Sequence, residues 1–350
     1  MNFTQNKKHF KLMFCAFTMV LFVIIVAATT LGAAHIPLKE SLYIILNKVP
    51  IINKLILIGG IPESHSLIIL KIRLPRIMLA ALVGMGLSTV GVVFQAIFKN
   101  SMADPYVLGI SSGAAVGAAI GFVLGFEVSF FGASAITITA FIGAILTIIL
   151  VYSIARVKNK IPTNTLLLAG ISMNFMLSSL LSIIMVFNRQ EVERIVFWTM
   201  GSVSLASYTQ ILVLVPFLFI GILIILSFSK DLNIILTGDE TAKSLGIEVE
   251  KIKKMLLITS SMIIAACVSV SGVIGFVGLI IPHIVRILLG PDHRSLLPFS
   301  VVAGAAFMVV SDTLARTLAA PAEIPVGAIT SLFGAPYFIY LLIKNKKKVL

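Results

Sequence analysis

A chain of 350 residues that is 59% hydrophobic and 12% charged, with mean hydropathy +1.10, excludes an ordinary soluble globule, whose water-facing shell would have to be built from leucine and isoleucine. The formal net charge of +13 sits in short basic clusters beside apolar runs, which points to anionic lipid and membrane topology and not to nucleic acid. Cys15 and Cys267 both lie in apolar runs without CxxC or Cys/His spacing, so neither a disulfide framework nor a metal site is implied.

A hydrocarbon core of about 30 Å needs about 20 apolar residues per helix. Charge-poor stretches predict spans at 12–34, 77–98, 106–126, 130–153, 164–187, 207–228, 255–272, 275–290, 296–314 and 326–343. The first follows Lys7, Lys8 and Lys11 and is longer than a cleaved signal's apolar region of about 7–15 residues. The seventh and eighth share one uncharged stretch, divided at Ser271-Gly272 and Gly275 by a tight turn. The expected fold is therefore all-α: a polytopic membrane protein of about ten transmembrane helices in one bundle, a single transmembrane domain over residues 1–350. With ten spans both termini share a side. That side carries eighteen of the Lys and Arg residues against nine on the other, which predicts cytoplasmic termini in a multi-pass protein of the cell membrane.

Two loops stand out. The external loop 35–75 contains an apolar piece, Ile51–Ile61, too short to span and expected to be interfacial or re-entrant. The longest internal loop, 229–254, is dense in charge, as partner-docking loops on a membrane bundle often are.

Within the spans, Gly113, Gly117, Gly121 and Gly125 recur every fourth residue and form a stripe for close helix packing. Gly84, Gly86 and Gly91 do the same in the second span. In the fifth, Gly170, Asn174, Ser178 and Ser182 make a small, polar strip, open to two readings: interhelical hydrogen bonding or a water-facing translocation pathway. Asp312 and Arg316, at i and i+4, are placed to pair. A proton-coupled carrier usually buries a relay of Asp, Glu or His in its spans, and none is evident. No phosphate loop, H-E-x-x-H, G-x-S-x-G or paired-Asp motif is present. His283 reads as a helix-end or loop residue. No catalytic residue and no metal ligand is assigned, and the chain reads as a non-enzyme whose energy is spent by another subunit.

Several segments resemble one family in its order, from about residue 70 to 340. They are Arg73-Leu74-Pro75-Arg76 with the Gly-rich span to Gln95, Ala103-Asp104-Pro105-Tyr106-Val107-Leu108-Gly109, Phe197-Trp198-Thr199-Met200-Gly201-Ser202, Gly238 to Gly246, Gly275 to Arg286, Gly290-Pro291-Asp292-His293-Arg294, and Glu323-Ile324-Pro325-Val326-Gly327. The chain is similar to the FecCD-type permeases of type II ABC importers for iron–siderophore, haem and cobalamin. The resemblance implies a permease dimer of identical or related chains, two cytoplasmic ATP-binding subunits and an extracytoplasmic substrate-binding protein. No cofactor is expected on this chain, with ATP and Mg on the partner subunit.

By the same resemblance, Gly238, Asp239, Glu240, Thr241, Ala242, Leu245 and Gly246 look like the coupling helix that seats in an ATPase groove. The residue chemistry suits a short helix. Thr237 or Asp239 is placed to cap it, Ala242 and Leu245 to share a face, and Gly246 to end it in the left-handed conformation. Arg73, Arg76 and Arg316 resemble external arginines that dock the binding protein; membrane-headgroup anchoring is the alternative reading. The solute implied is a metal chelate, an iron(III)-siderophore before haem or cobalamin, and the last span joins the fifth as a pathway lining. An ion-gradient-driven secondary transporter is the rival from another class. The chain departs from the family pattern at Asn100-Ser101-Met102 and in a longer first external loop.

Overall fold

The computed structural model describes residues 7–48, 61–125, 129–130, 133–158 and 162–346. Among them, seven helices are long and apolar enough to cross a membrane, and three more are apolar but shorter. The apolar run 51–60 lies outside the described residues.

Helix α1 (Lys7–Thr30) is followed by a short helix α2 (Leu38–Leu46). The second span starts well before residue 77. One continuous helix runs from Glu63 to Ile97, made of α3 (Glu63–Leu67), a π-turn over Ile68–Arg73, and α4 (Leu74–Ile97). A proline ring clashes with the carbonyl four residues before it, and the wider π-turn ahead of Pro75 relieves that contact without ending the helix. The expected loop 35–75 shrinks accordingly. Ile36, Ile44 and Ile69 form a small apolar cluster that seats α2 on the helix.

The third span is shorter than expected. A 3₁₀ turn, Pro105–Leu108, leads through left-handed Gly109 into α5 (Ile110–Val123). Next come a minimal hairpin, β1 (Ser129–Phe130) on β2 (Ala133–Ser134), then α6 (Ala135–Ala155), α7 (Thr163–Phe187) and α8 (Val192–Thr199). Helix α9 (Tyr208–Ser227) leads into α10 (Ser229–Leu236) and α11 (Asp239–Ser244). Helices α12 (Val249–Ser271), α13 (Val277–Leu289), α14 (His293–Ala315) and α15 (Val326–Lys346) complete the chain. Left-handed Gly272 and Phe276 make the α12–α13 turn. His283 lies inside α13, not at a helix end, with its ring 6.3 Å from that of Tyr337.

Helix α4 is buried on nearly every side and is the axis of the bundle. Glycines set its distances. A Cβ on Gly84 would lie 2.1 Å from the Gly304 carbonyl oxygen, and one on Gly91 would lie 1.8 Å from that of Gly278, so α14 and α13 touch α4 backbone to backbone. The α5 stripe works the same way against α6. A Cβ on Gly117 would lie 2.2 Å from Thr139 O, one on Gly113 2.0 Å from Thr147 Oγ1, and one on Gly121 2.6 Å from Thr139 Oγ1. Gly125 does not join them, because α5 ends at Val123; it turns at φ +62° with nothing within 4 Å of a Cβ.

Phe299, near the start of α14, packs its ring edge on Phe10, Phe14 and Phe17 of α1, while Arg316, just past α14, reaches Ala28. The two helices therefore run parallel. The end of the bundle that holds their starts, together with α10 and α11, is termed basal here, and the other apical.

Candidate functional site

At the basal end, Ile235, Ala242 and Val249 form an apolar knot that folds α10, α11 and the start of α12 together. This orients α11. Ala242 points inward at 0% exposure and Leu245 outward at 64%, so the two do not share a face; the helix ends at Ser244, and Leu245 leaves it on the far side. Glu240, Thr241, Lys243 and Gly246 are exposed beside Leu245. Gly246 takes φ +82°, the left-handed stop foreseen for it.

Capping differs from expectation. Gly238 occupies the N-cap at φ +134° without a side-chain cap, and Thr237 Oγ1 donates back to Ile234 O. The Asp239 carboxylate instead receives Lys99 Nζ at 2.8 Å and Lys253 Nζ at 2.5 Å. Burial pushes this carboxyl up, but the two lysines outweigh it and hold Asp239 below the usual carboxylate range.

At the apical end the three arginines are buried and internally engaged. Arg73 donates to the carbonyls of Thr29 and Thr30, two of the open C-terminal carbonyls of α1, and to that of Ala34 in the loop beyond. Arg76 reaches Asp312 at 2.8 Å and Glu323 at 2.8 and 2.9 Å. Arg316 donates to Ala28 O and lies 3.7 Å from Asp312, the i, i+4 pair read from the sequence. Each arginine is at most 6% exposed, so none offers a free guanidinium to an outside partner in this conformation.

The strip on α7 divides. Gly170 is buried, where a Cβ would lie 2.4 Å from Val107 O, and Ser112 donates to Asn174 Oδ1. Gly170 thus lets the Pro105–Leu108 turn lie against α7, and Asn174 ties α7 to α5. Ser178 and Ser182 lie further along on the exposed face. Tyr106 donates to Ile274 O at 3.0 Å and Ser202 N to Ser271 O at 2.7 Å; non-helical backbone inside an apolar bundle needs such partners. An apical cavity of about 480 Å³ opens between α8 and the end of α12, lined by Trp198, Ser204, Gln210, Ser271 and Glu323 among others.

Asn233, Asp292, His293, Gln95 and Glu323 engage distant helices and were not singled out as site residues from the sequence. Arg286 donates to Gln95 Oε1 at 2.8 Å, and Asn233 bridges to Asp292 and His293. The signal was present for two of them, since Asp-His within Gly290 to Arg294 opens a span with a capping residue.

These features define a polytopic α-helical membrane protein with a short, partly exposed helix, α11, at its basal end. The chain belongs to the FecCD transport family, whose family model matches residues 19–344. It is 41% identical over 283 residues to the cobalamin import system permease protein of Halobacterium salinarum, covering 81% of this chain and 75% of that one. It is 38% identical over 285 residues to the hemin transport system permease protein of Yersinia pestis, covering 80% and 84%. A solved structure described as an inward-facing conformation of a metal-chelate type ABC transporter matches with TM-score 0.80 and 31% identity, over 95% of this chain and 99% of that one.

Proposed function

We propose that this chain is the membrane permease subunit of an ATP-driven type II importer that passes a metal chelate, an iron(III)-siderophore, handed over by an extracytoplasmic binding protein. The observation that carries the reading is the α11 segment: a short helix knotted to the bundle on one side by Ala242 and presenting Leu245, Lys243 and Glu240 on the other. Leu245, just past the fixed helix and beside exposed Lys243 and Glu240, supplies the apolar contact and charged rim that a docked subunit would use. ATP and Mg belong to two ATP-binding subunits seated there, and a second permease copy or related chain completes the pathway. The basal end is then cytoplasmic, in line with the Lys and Arg excess.

Ser178 and Ser182, exposed on α7, are the pathway residues this reading favours; Gly170 and Asn174 support them from within. Arg73, Arg76 and Arg316 shape the apical face on which the binding protein docks, while their charges are spent inside the subunit. Iron is the metal named for several relatives, among them an iron(3+)-hydroxamate permease of Bacillus subtilis; cobalamin is the second reading, from the Halobacterium relative.

The test is Leu245→Asp. Leu245 is 64% exposed, so the permease itself keeps its fold. Loss of co-purifying ATP-binding subunits and of chelate uptake is expected; intact association with normal uptake overturns the assignment.

A further inference from the structure

Asn233 of α10 holds the first turn of α14 from outside. Its Oδ1 accepts the His293 backbone N–H at 2.9 Å and the His293 ring Nδ1–H at 2.7 Å, and its Nδ2 donates to Asp292 Oδ1 at 2.8 Å. The partners fix the amide orientation, because a backbone N–H can only donate and a carboxylate can only accept. The first N–H groups of a helix have no partner within it. Here Asp292 takes the Arg294 N–H at 3.0 Å and a side chain from another helix takes that of His293. His293 is 1% exposed, so its end of the link is shielded, while Asn233 and Asp292 are half-buried.

The other described attachments of α10 and α11 are of a different kind. The Asp239–Lys99 pair is 35% and 40% exposed, which leaves it screened. Lys253 belongs to α12, the helix that α11 leads into. Leu232 seats α10 in the main core, a contact without direction. Asn233 alone among these fixes one position and orientation against a membrane helix that is not its chain neighbour. Just before that contact, α13 turns into α14 at Gly290, which sits at φ +91° with nothing within 4 Å of a Cβ, leaving the corner room to pivot.

We infer that Asn233 is the positioning residue through which displacement of the α10–α11 segment is delivered to the α13–α14 corner. The inference rests on α11 being where the ATP-binding subunits dock. Moving α10 along its own axis pulls Asp292 and His293 together, and with them both the end of α13 and the start of α14.

The experiment uses the complete importer in proteoliposomes, with a panel of iron(III)-hydroxamate, haemin and cyanocobalamin from which the one accumulated by the unmodified complex is taken. Asn233→Ala is expected to assemble and to hydrolyse ATP while moving about five- to tenfold less chelate per ATP. Asn233→Asp, which sets a carboxylate against Asp292, is expected to lose as much. Asp292 is left unchanged in both variants, because its Oδ1 also accepts the Arg294 N–H that starts α14. A merely structural role would change complex yield and leave that ratio untouched. An unchanged ratio in Asn233→Ala overturns the inference, as does an unchanged ratio in Asn233→Asp in a complex formed at normal yield. Leu245→Asp is measured alongside: if it assembles and transports normally, the docking reading falls; if it loses the ATP-binding subunits while Asn233→Ala keeps its ratio, only the present inference falls.

Discussion

Removal of the Asp312 carboxylate is the sharpest perturbation of the bundle that the structure offers. The side chain is 0% exposed, 2.8 Å from Arg76 and 3.7 Å from Arg316. Asp312→Ala leaves two buried guanidinium groups facing each other's field. Breaking a buried pair by deleting one partner costs about 3–5 kcal/mol. Arg76 keeps Glu323, whose side chain is 47% exposed, and Arg316 keeps the Ala28 carbonyl, which places the loss near the low end, about 3 kcal/mol. At roughly 2 °C per kcal/mol for a chain of this size, the midpoint for loss of monodisperse permease on heating in detergent falls by about 6 °C. The comparison is Arg194→Ala. Its partner Glu191 sits at 3.0 Å, but the pair is 56% and 25% exposed, and pairs of that kind contribute about 0–1 kcal/mol. Adding Arg316→Leu to Asp312→Ala removes one stranded charge and recovers part of the midpoint. Equal midpoints for Asp312→Ala and Arg194→Ala would refute the reasoning.

Gly91→Ala pushes a methyl to 1.8 Å from the Gly278 carbonyl oxygen; overpacking of this type costs ~1–3 kcal/mol, read as a lower midpoint in the same heating assay. Gly125→Ala has open space and meets only its φ of +62°, a cost of ~1–2 kcal/mol, so it should be the milder of the two, and the reverse order would contradict the packing assignment. Asp239, held low by Lys253 and Lys99 against the opposing effect of burial, contributes stability that is fully present above the ordinary Asp pKa of about 3.9 and is lost only as pH falls through its depressed folded value. Hydrogen exchange of residues 239–250, corrected for intrinsic rates, should therefore be flat from about pH 7 to pH 5; a loss of protection in that window that Asp239→Asn abolishes would count against the pairing.

The membrane spans were legible in the sequence because apolar length is a local property, and the α12–α13 turn because Ser271-Gly272 and Gly275 fall close together in one long uncharged stretch. The phase of short elements was not. Ala242 and Leu245 stand three apart, which on a continuing helix means neighbouring faces, but α11 stops at Ser244 and the last residue swings outward. The start of the second span was misplaced because Arg73 and Arg76 looked like surface charge. Their burial depends on partners remote in the chain: Arg76 meets Asp312 across 236 positions and Arg73 meets Thr29 across 44. Asn233 illustrates the same limit, since nothing about an asparagine in a charged loop announces a partner 60 positions away. The polar strip on α7 read as one feature because its spacing is regular, yet its first half is spent on the Pro105–Leu108 turn and on α5, and its second half faces outward.

The central claim is that this chain is a conduit with no energy source of its own. Purified permease in sealed vesicles, loaded with or without its ATP-binding and substrate-binding partners, tests it most directly by accumulation of labelled chelate against a gradient. Uphill uptake only with the partners and ATP is the predicted result. Sustained accumulation by the permease alone, driven by a proton or sodium difference, would contradict it.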